Sequence, residues 1–171
     1  MRTIETKVFT FDELSEDAKQ KAIERLRDIN VSHNWWEITY DDAKTIGLKI
    51  TGFNLDRNRH ATGELILSAC EVAQNIFNEH GETCETFKTA TNFMEVWQPI
   101  FDEYMNEESE KFESAELEDE LTELEGEFCQ SLLEDYSIML QNECEFLQED
   151  EAIIETIEAN DYEFTEDGKL I

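Results

Sequence analysis

At 171 residues the chain has room for one domain with a sizeable core, and 40% of its residues are apolar, including 11 Phe, 4 Tyr and 3 Trp. Its formal net charge is −30, from 43 Asp and Glu against 13 Lys and Arg. That balance argues against direct binding to nucleic acid or to an anionic membrane surface, both of which are polyanions, and no run approaches the roughly 18 apolar residues of a membrane span.

Residues 2–10 alternate through Ile4, Thr6 and Val8 and predict a first strand. Asp12 to Asn30 reads as a helix with Ser15 as an N-cap and Leu14, Ala18, Ala22, Ile23, Leu26 and Ile29 on one face. A second helix is expected from about Trp35 to Ile46, closed by Gly47, although Trp36, Ile38 and Tyr40 could equally begin as an extended segment. Leu48, Ile50 and Phe53 alternate with polar residues, and Thr62 to Leu67 answers them across a polar turn from Asn54 to Arg59. The pattern is that of a β-hairpin. Ser68 to His80 is helical in period, with Gly81 after it. A further helix carries Phe87, Phe93, Met94, Val96 and Trp97, and Pro99 is expected to kink it or to open a new first turn. Leu117, Leu121, Leu124 and Phe128 recur at steps of four, three and four, extended by Leu132, Tyr136 and Met139. They predict a long amphipathic helix that Gly126 weakens midway. Glu151 to Ala159 is a last helix, and Tyr162–Thr165 and Lys169–Ile171 flank Glu166-Asp167-Gly168 as a terminal hairpin.

The expected fold is therefore α+β and mostly helical, a small antiparallel sheet packed with long acidic helices. If the terminal hairpin joins the front sheet, the whole chain is one domain. Its near-neutral part is 1–81 and its acidic helical part is 82–171.

The acidity is regional. Residues 1–81 carry 10 bases and 14 acids, whereas 82–171 carry 3 bases and 29 acids. The densest window, Asp102 to Asp135, holds 15 acids and the single base Lys111. If Leu117, Leu121, Leu124 and Phe128 face the core, Asp119 and Glu123 face away, Glu116 lies beside them, and Glu118, Glu125 and Glu127 lie on the flanks. No Lys at i,i+4 offsets this stripe, and like charges at that spacing cost about 0.2–0.5 kcal/mol per pair. As one helix, the 34-residue window would carry a carboxylate every ~3.4 Å, close to the phosphate spacing along one DNA strand. The candidate partner-binding residues are thus Asp102, Glu103, Glu107, Glu108, Glu113, Glu116, Glu118, Asp119, Glu123, Glu125 and Glu127. A solvated face is the plainer reading of a charge run.

Catalytic and cofactor chemistry finds no foothold. Asn54, Asp56 and Asn58 have EF-hand-like spacing, but Arg59 replaces the turn glycine and Leu65 the bidentate carboxylate. His33, His60 and His80 belong to no zinc motif, and no Gly-rich phosphate loop or nucleophile elbow occurs. Cys70, Cys84, Cys129 and Cys144 form no CxxC pair, and the opening Met1-Arg2-Thr3-Ile4-Glu5 lacks an apolar leader. Reduced thiols packed inside a cytoplasmic protein are expected. No enzyme activity and no cofactor are expected.

Val8 to Ala22, reading VFTFDELSEDAKQKA, resembles the opening of a family of small acidic accessory proteins encoded by bacteriophages. Glu155 to Lys169, reading ETIEANDYEFTEDGK, is similar to that family's ending, and the Asp41–Lys44 segment with Thr51-Gly52-Phe53 resembles it more loosely. The resemblance covers about a third of the chain and carries no catalytic residues. It implies an accessory phage gene acting in a bacterial cytoplasm. By analogy of class, small acidic phage proteins resemble DNA-mimicking inhibitors of restriction enzymes or CRISPR effectors. The leading expectation is an inhibitor whose carboxylates occupy the basic nucleic-acid-binding surface of a host defence protein. The alternative is an assembly or docking protein whose amphipathic helix pairs with itself, as a homodimer, or with another basic host protein such as a transcription component.

Overall fold

A computed structural model describes residues 7–106 and 113–171. The protein is α+β and mostly helical. Its elements are β1 (Phe9–Thr10), α1 (Glu16–Arg25), α2 (Glu37–Ile46), β2 (Leu48–Asn54), β3 (His60–Leu65), α3 (Ala69–Glu79), α4 (Glu85–Asn106), α5 (Glu113–Leu147), α6 (Asp150–Ala159) and β4 (Glu163–Phe164). Short 3-10 turns cover Phe11–Glu13 and Ile29–Val31. The strands form two separate two-stranded antiparallel sheets, β1 with β4 and β2 with β3. The chain divides into two compact units, one made of residues up to Trp35 with Asn142–Ile171, the other of Trp36–Gln141.

The first unit joins the two ends of the sequence. Phe9 lies opposite Phe164 and Thr10 opposite Glu163, and Phe164 also bridges to Leu170 in the expected terminal hairpin. Phe11, Leu14, Ala18, Ala22 and Ile23 pack with Ile153, Ile157 and Phe164. Gly168 holds φ +74°, and a Cβ there would sit 2.2 Å from the Ala18 carbonyl oxygen, so the hairpin tip lies directly on α1. Ser15 caps α1 as expected, its hydroxyl accepting from the Ala18 N–H at 3.3 Å. The helix is shorter than the stretch from Asp12 to Asn30. Leu14 is extended ahead of the cap, and beyond Leu26 the chain turns so that Arg27 and Asn30 can bind the α5–α6 junction. Asn30, only 9% exposed, donates to the carbonyls of Leu147 and Ala152 and accepts from the Thr156 hydroxyl. Those bonds satisfy buried groups that would otherwise be costly to leave unpaired.

The second unit is built on the β2–β3 hairpin. Leu48 faces Leu65 and Phe53 faces Ala61, with an irregularity between Ile50 and Gly52. The second strand starts at His60 and ends at Leu65, two residues ahead of the alternation that predicts it. Gly63 is demanded by packing, because a Cβ would lie 2.4 Å from the Lys49 carbonyl oxygen and 3.0 Å from Leu133. Gly47 ends α2, and a reciprocal Ser68–Glu71 capping box opens α3. Ile46, Leu48, Val72, Ile76, Leu132 and Tyr136 are fully buried at the centre. Trp36 stacks edge-on against Phe53 at 5.6 Å and is half-buried.

Pro99 does not open a new first turn. α4 continues through it, at the cost of one backbone hydrogen bond. Gly126 likewise interrupts nothing in α5. Cys84 is exposed and the other three cysteines are partly buried, which corrects the expectation that all four pack inside. Among the described residues no helix is long and apolar enough to cross a membrane.

Candidate anionic docking face

The acid-rich part of α5 is supported by an aromatic row on α4. Phe93 stacks on Phe128 of α5 with ring centroids 4.2 Å apart and planes 12° from parallel. Trp97 tilts against Phe93, and Phe101 stacks on Trp97 at 4.4 Å. Residues 93, 97 and 101 are one helical turn apart, so a single α4 face carries all three rings. On α5, Leu121, Phe128, Leu132, Tyr136 and Leu140 are buried, and Leu117 and Leu124 are partly buried. The expected stripe is therefore present as far as Tyr136. There Leu140 continues it in place of Met139, which is 40% exposed.

The carboxylates lie away from this stripe, with Glu127 at its margin. Glu116, Glu118, Asp119, Glu123 and Glu127 are exposed, as is Glu120, which is not among the expected partner-binding residues. Glu120 is one turn beyond Glu116 and three residues before Glu123, so the helical period that found its neighbours also contained it. Asp119, Glu123 and Glu127 form one i,i+4 row. Asp102 and Glu103 are exposed near the end of α4, and Asp102 accepts from the Gln98 amide at 2.9 Å. Glu113 opens α5. Glu107 and Glu108 lie outside the described residues.

Two expectations need correction. The window from Asp102 to Asp135 does not continue α4 as one straight helix, since Trp97 of α4 and Glu125 of α5, 28 residues apart, are hydrogen-bonded to each other. On α5 alone, ten of the 23 residues from Glu113 to Asp135 are acids, one per roughly 3.5 Å of helix. Glu125 is not a flank carboxylate presented to solvent. It is partly buried and accepts the Trp97 indole N–H at 3.3 Å, which ties α5 to the aromatic row.

The ion pairs of the described residues lie outside this face. Lys49 pairs with Glu64, Arg59 with Glu134, Lys88 with Glu85, Arg27 with Asp150 and Arg25 with Asp167. Among the described residues no cation pairs with Glu116, Glu118, Asp119, Glu120, Glu123 or Glu127. The anionic face ends where Arg59 meets Glu134. Beyond it, Asp135 is partly buried and accepts from the Thr89 hydroxyl at 2.7 Å. Burial pushes its carboxyl upward, against the Thr89 bond and reinforced by Glu85 and Glu134.

A polar network lies beneath. The Tyr136 hydroxyl donates to Asp42 at 2.7 Å, His80 Nε2 approaches Asp42 at 3.6 Å, and His80 Nδ1 meets the Thr86 hydroxyl at 2.7 Å. The proximity of His80, joined by the Tyr136 hydrogen bond, holds the Asp42 carboxyl below its ordinary range, while burial drives the Tyr136 phenol far above its own. Tyr136 is fully buried and Thr86 nearly so, which makes the network a brace between α2, α3, α4 and α5. Among the described residues no cluster of His, Cys, Asp and Glu has the arrangement to hold a metal ion. The Asn54–Asn58 turn is an ordinary one, in which Asn54 Oδ1 accepts from the Asp56 N–H at 2.8 Å.

No protein-family model, curated protein or solved structure matches this chain. The fold and the face together describe a mostly helical α+β protein that carries a row of unpaired carboxylates on a packed helix.

Proposed function

We propose that this protein is an anionic docking protein whose α5 face occupies the basic, nucleic-acid-binding surface of another protein and competes with nucleic acid for it. One observation carries the reading. Glu116, Asp119, Glu120, Glu123 and Glu127 are exposed without a cationic partner, on a helix held by a stacked aromatic core. Like-charge neighbours at i,i+3 and i,i+4 destabilise a helix unless something outside the chain neutralises them. Lys and Arg side chains of a partner would do so through charge-assisted hydrogen bonds. In the setting implied by the sequence resemblance, the protein is encoded by a bacteriophage and acts in the cytoplasm of its host. The target there is a defence protein, a restriction enzyme or CRISPR effector, with the carboxylates standing where phosphates bind.

The test is capture from bacterial lysate at low salt, elution along a salt gradient, and competition of the recovered protein with duplex DNA and with RNA. The complex should dissociate steeply with salt and be displaced by nucleic acid. The triple substitution Glu116→Lys, Asp119→Lys, Glu123→Lys should abolish it. Retention through about 0.5 M salt, where screening reaches within a few ångströms, would overturn the reading.

A further inference from the structure

Beside the carboxylate row, α4 and α5 leave an open cleft of about 240 Å³. Its apolar lining is Phe93, Val96, Leu124 and Phe128, and Asn92 and Ser131 line it as well. Its floor is the stacked Phe93–Phe128 pair, residues 8% and 3% exposed. Val96 on the wall is 50% exposed, so an apolar side chain of the second unit is left in water above a rigid aromatic base. The lining follows matching helical steps on both helices, at 89, 92, 93 and 96 on α4 and at 124, 127, 128 and 131 on α5. The cleft therefore runs along the groove between two helices.

Size and charge select the occupant. The volume lies below the roughly 300–1,000 Å³ typical of small-molecule and cofactor sites, and suits one large apolar side chain. Glu127 lines the cleft itself, while Glu123 and Glu120 lie about one and two turns further along the same helix. The base nearest in sequence to the α4 wall, Lys88, is held by Glu85 at 2.6 Å. An apolar slot rimmed by unpaired carboxylates is complementary to a segment that presents one apolar anchor between Lys or Arg side chains. This is the usual composition of an interface centre, in which an aromatic anchor fills a pocket and charged groups surround it.

We infer that the α4–α5 cleft receives an aromatic or aliphatic anchor side chain from a cationic segment of the partner protein, so that recognition is apolar at its centre and electrostatic around it. The inference rests on the anionic-docking reading above and adds to it what charge alone lacks, namely registration of the partner along α5. A pure polyanion mimic would need no such slot.

Two short synthetic peptides of identical positive charge test it, one with a central Trp between arginines and the other with Ala in that place. Each is titrated into the full-length, isotope-labelled protein at low salt. The Trp peptide should bind at least about tenfold more tightly, as burial of an aromatic side chain implies, and should shift the resonances of Phe93, Val96, Leu124 and Phe128. Ser131→Phe, which fills the cleft from an exposed position, and Val96→Ser, which strips its wall, should each remove the advantage of Trp and leave the Ala peptide unaffected. Equal affinities for the two peptides, with steep salt dependence, would overturn the cleft and leave the anionic reading intact. Failure of both peptides to bind at low salt would overturn both. Self-association abolished by Ser131→Phe would make a second copy the occupant and overturn the assignment to a cationic partner segment.

Discussion

Trp97 on α4 donates its indole N–H to Glu125 Oε1 on α5, at 3.3 Å. This contact separates Glu125 from carboxylates two residues away on either side. Glu123 and Glu127 are exposed without a cationic partner, whereas Glu125 is committed to the packing of the second unit. Glu125→Ala should lower stability by about 0.5–1.5 kcal/mol, the usual net worth of such a bond. Glu123→Ala should raise it by about 0.2–0.5 kcal/mol for each like-charged neighbour relieved. Urea unfolding followed by helical circular dichroism distinguishes the two, and partner binding should weaken for Glu123→Ala.

Phe128 is the α5 half of the ring stack beneath the anionic face. Its truncation to Ala leaves Phe93 without a partner and opens a cavity in a core position that is 3% exposed. The expected cost is about 3–5 kcal/mol. Phe128→Leu should cost less, because it keeps most of the volume and loses chiefly the stacking. Thermal unfolding of the two variants gives the comparison.

Gly126 sits in the interior of α5 with nothing within 4 Å of where a Cβ would be. Its backbone is helical, so a side chain meets no steric objection there. Gly126→Ala should stabilise the helix by about 0.8–1 kcal/mol, visible as a raised unfolding midpoint in urea. Affinity for a cationic partner should not change, since no charge is moved. A loss of stability would mean that α5 needs the glycine for a bend.

Asp42 and Asp135 should respond to acid in opposite directions. Asp42 is held below its ordinary range, chiefly by His80, so its contribution is present above the unfolded carboxylate pKa and is lost as pH falls through the depressed folded value. Asp135 is raised, chiefly by burial. Its favourable contribution is complete only below the unfolded pKa and is lost as pH rises through the raised folded value. At neutral pH, Asp42→Asn should therefore destabilise the protein and Asp135→Asn should stabilise it, with the Thr89 hydroxyl still able to donate to the new amide. Both differences should shrink toward acid pH. Unfolding free energies measured across the carboxylate range check the sign of each.

Helix caps and hairpin turns were the most legible parts of the sequence. Ser15, Gly47 and the 54–59 turn depend on backbone groups within a few residues, so their chemistry is written locally. The shortening of the first helix was not legible, because Asn30 leaves it to satisfy carbonyls of Leu147 and Ala152, more than a hundred residues away. The candidate face was largely readable, because the same period that buries Leu121 and Phe128 turns Asp119 and Glu123 outward. Glu125 was misplaced because its partner, Trp97, is on another helix and leaves no mark in the α5 pattern.

By itself, then, the amino-acid order determined the mostly helical α+β class, the amphipathic character of α5 and the concentration of acid after residue 81, since each follows from periodicity, propensity and charge along the chain. Tertiary structure alone decided that β1 pairs with β4, that the acids divide between two helices, and that Glu125 turns inward while its neighbours stay outside. It also produced the cleft between Phe93 and Phe128, because a groove depends on how two surfaces meet, and neither helix encodes the shape of the other.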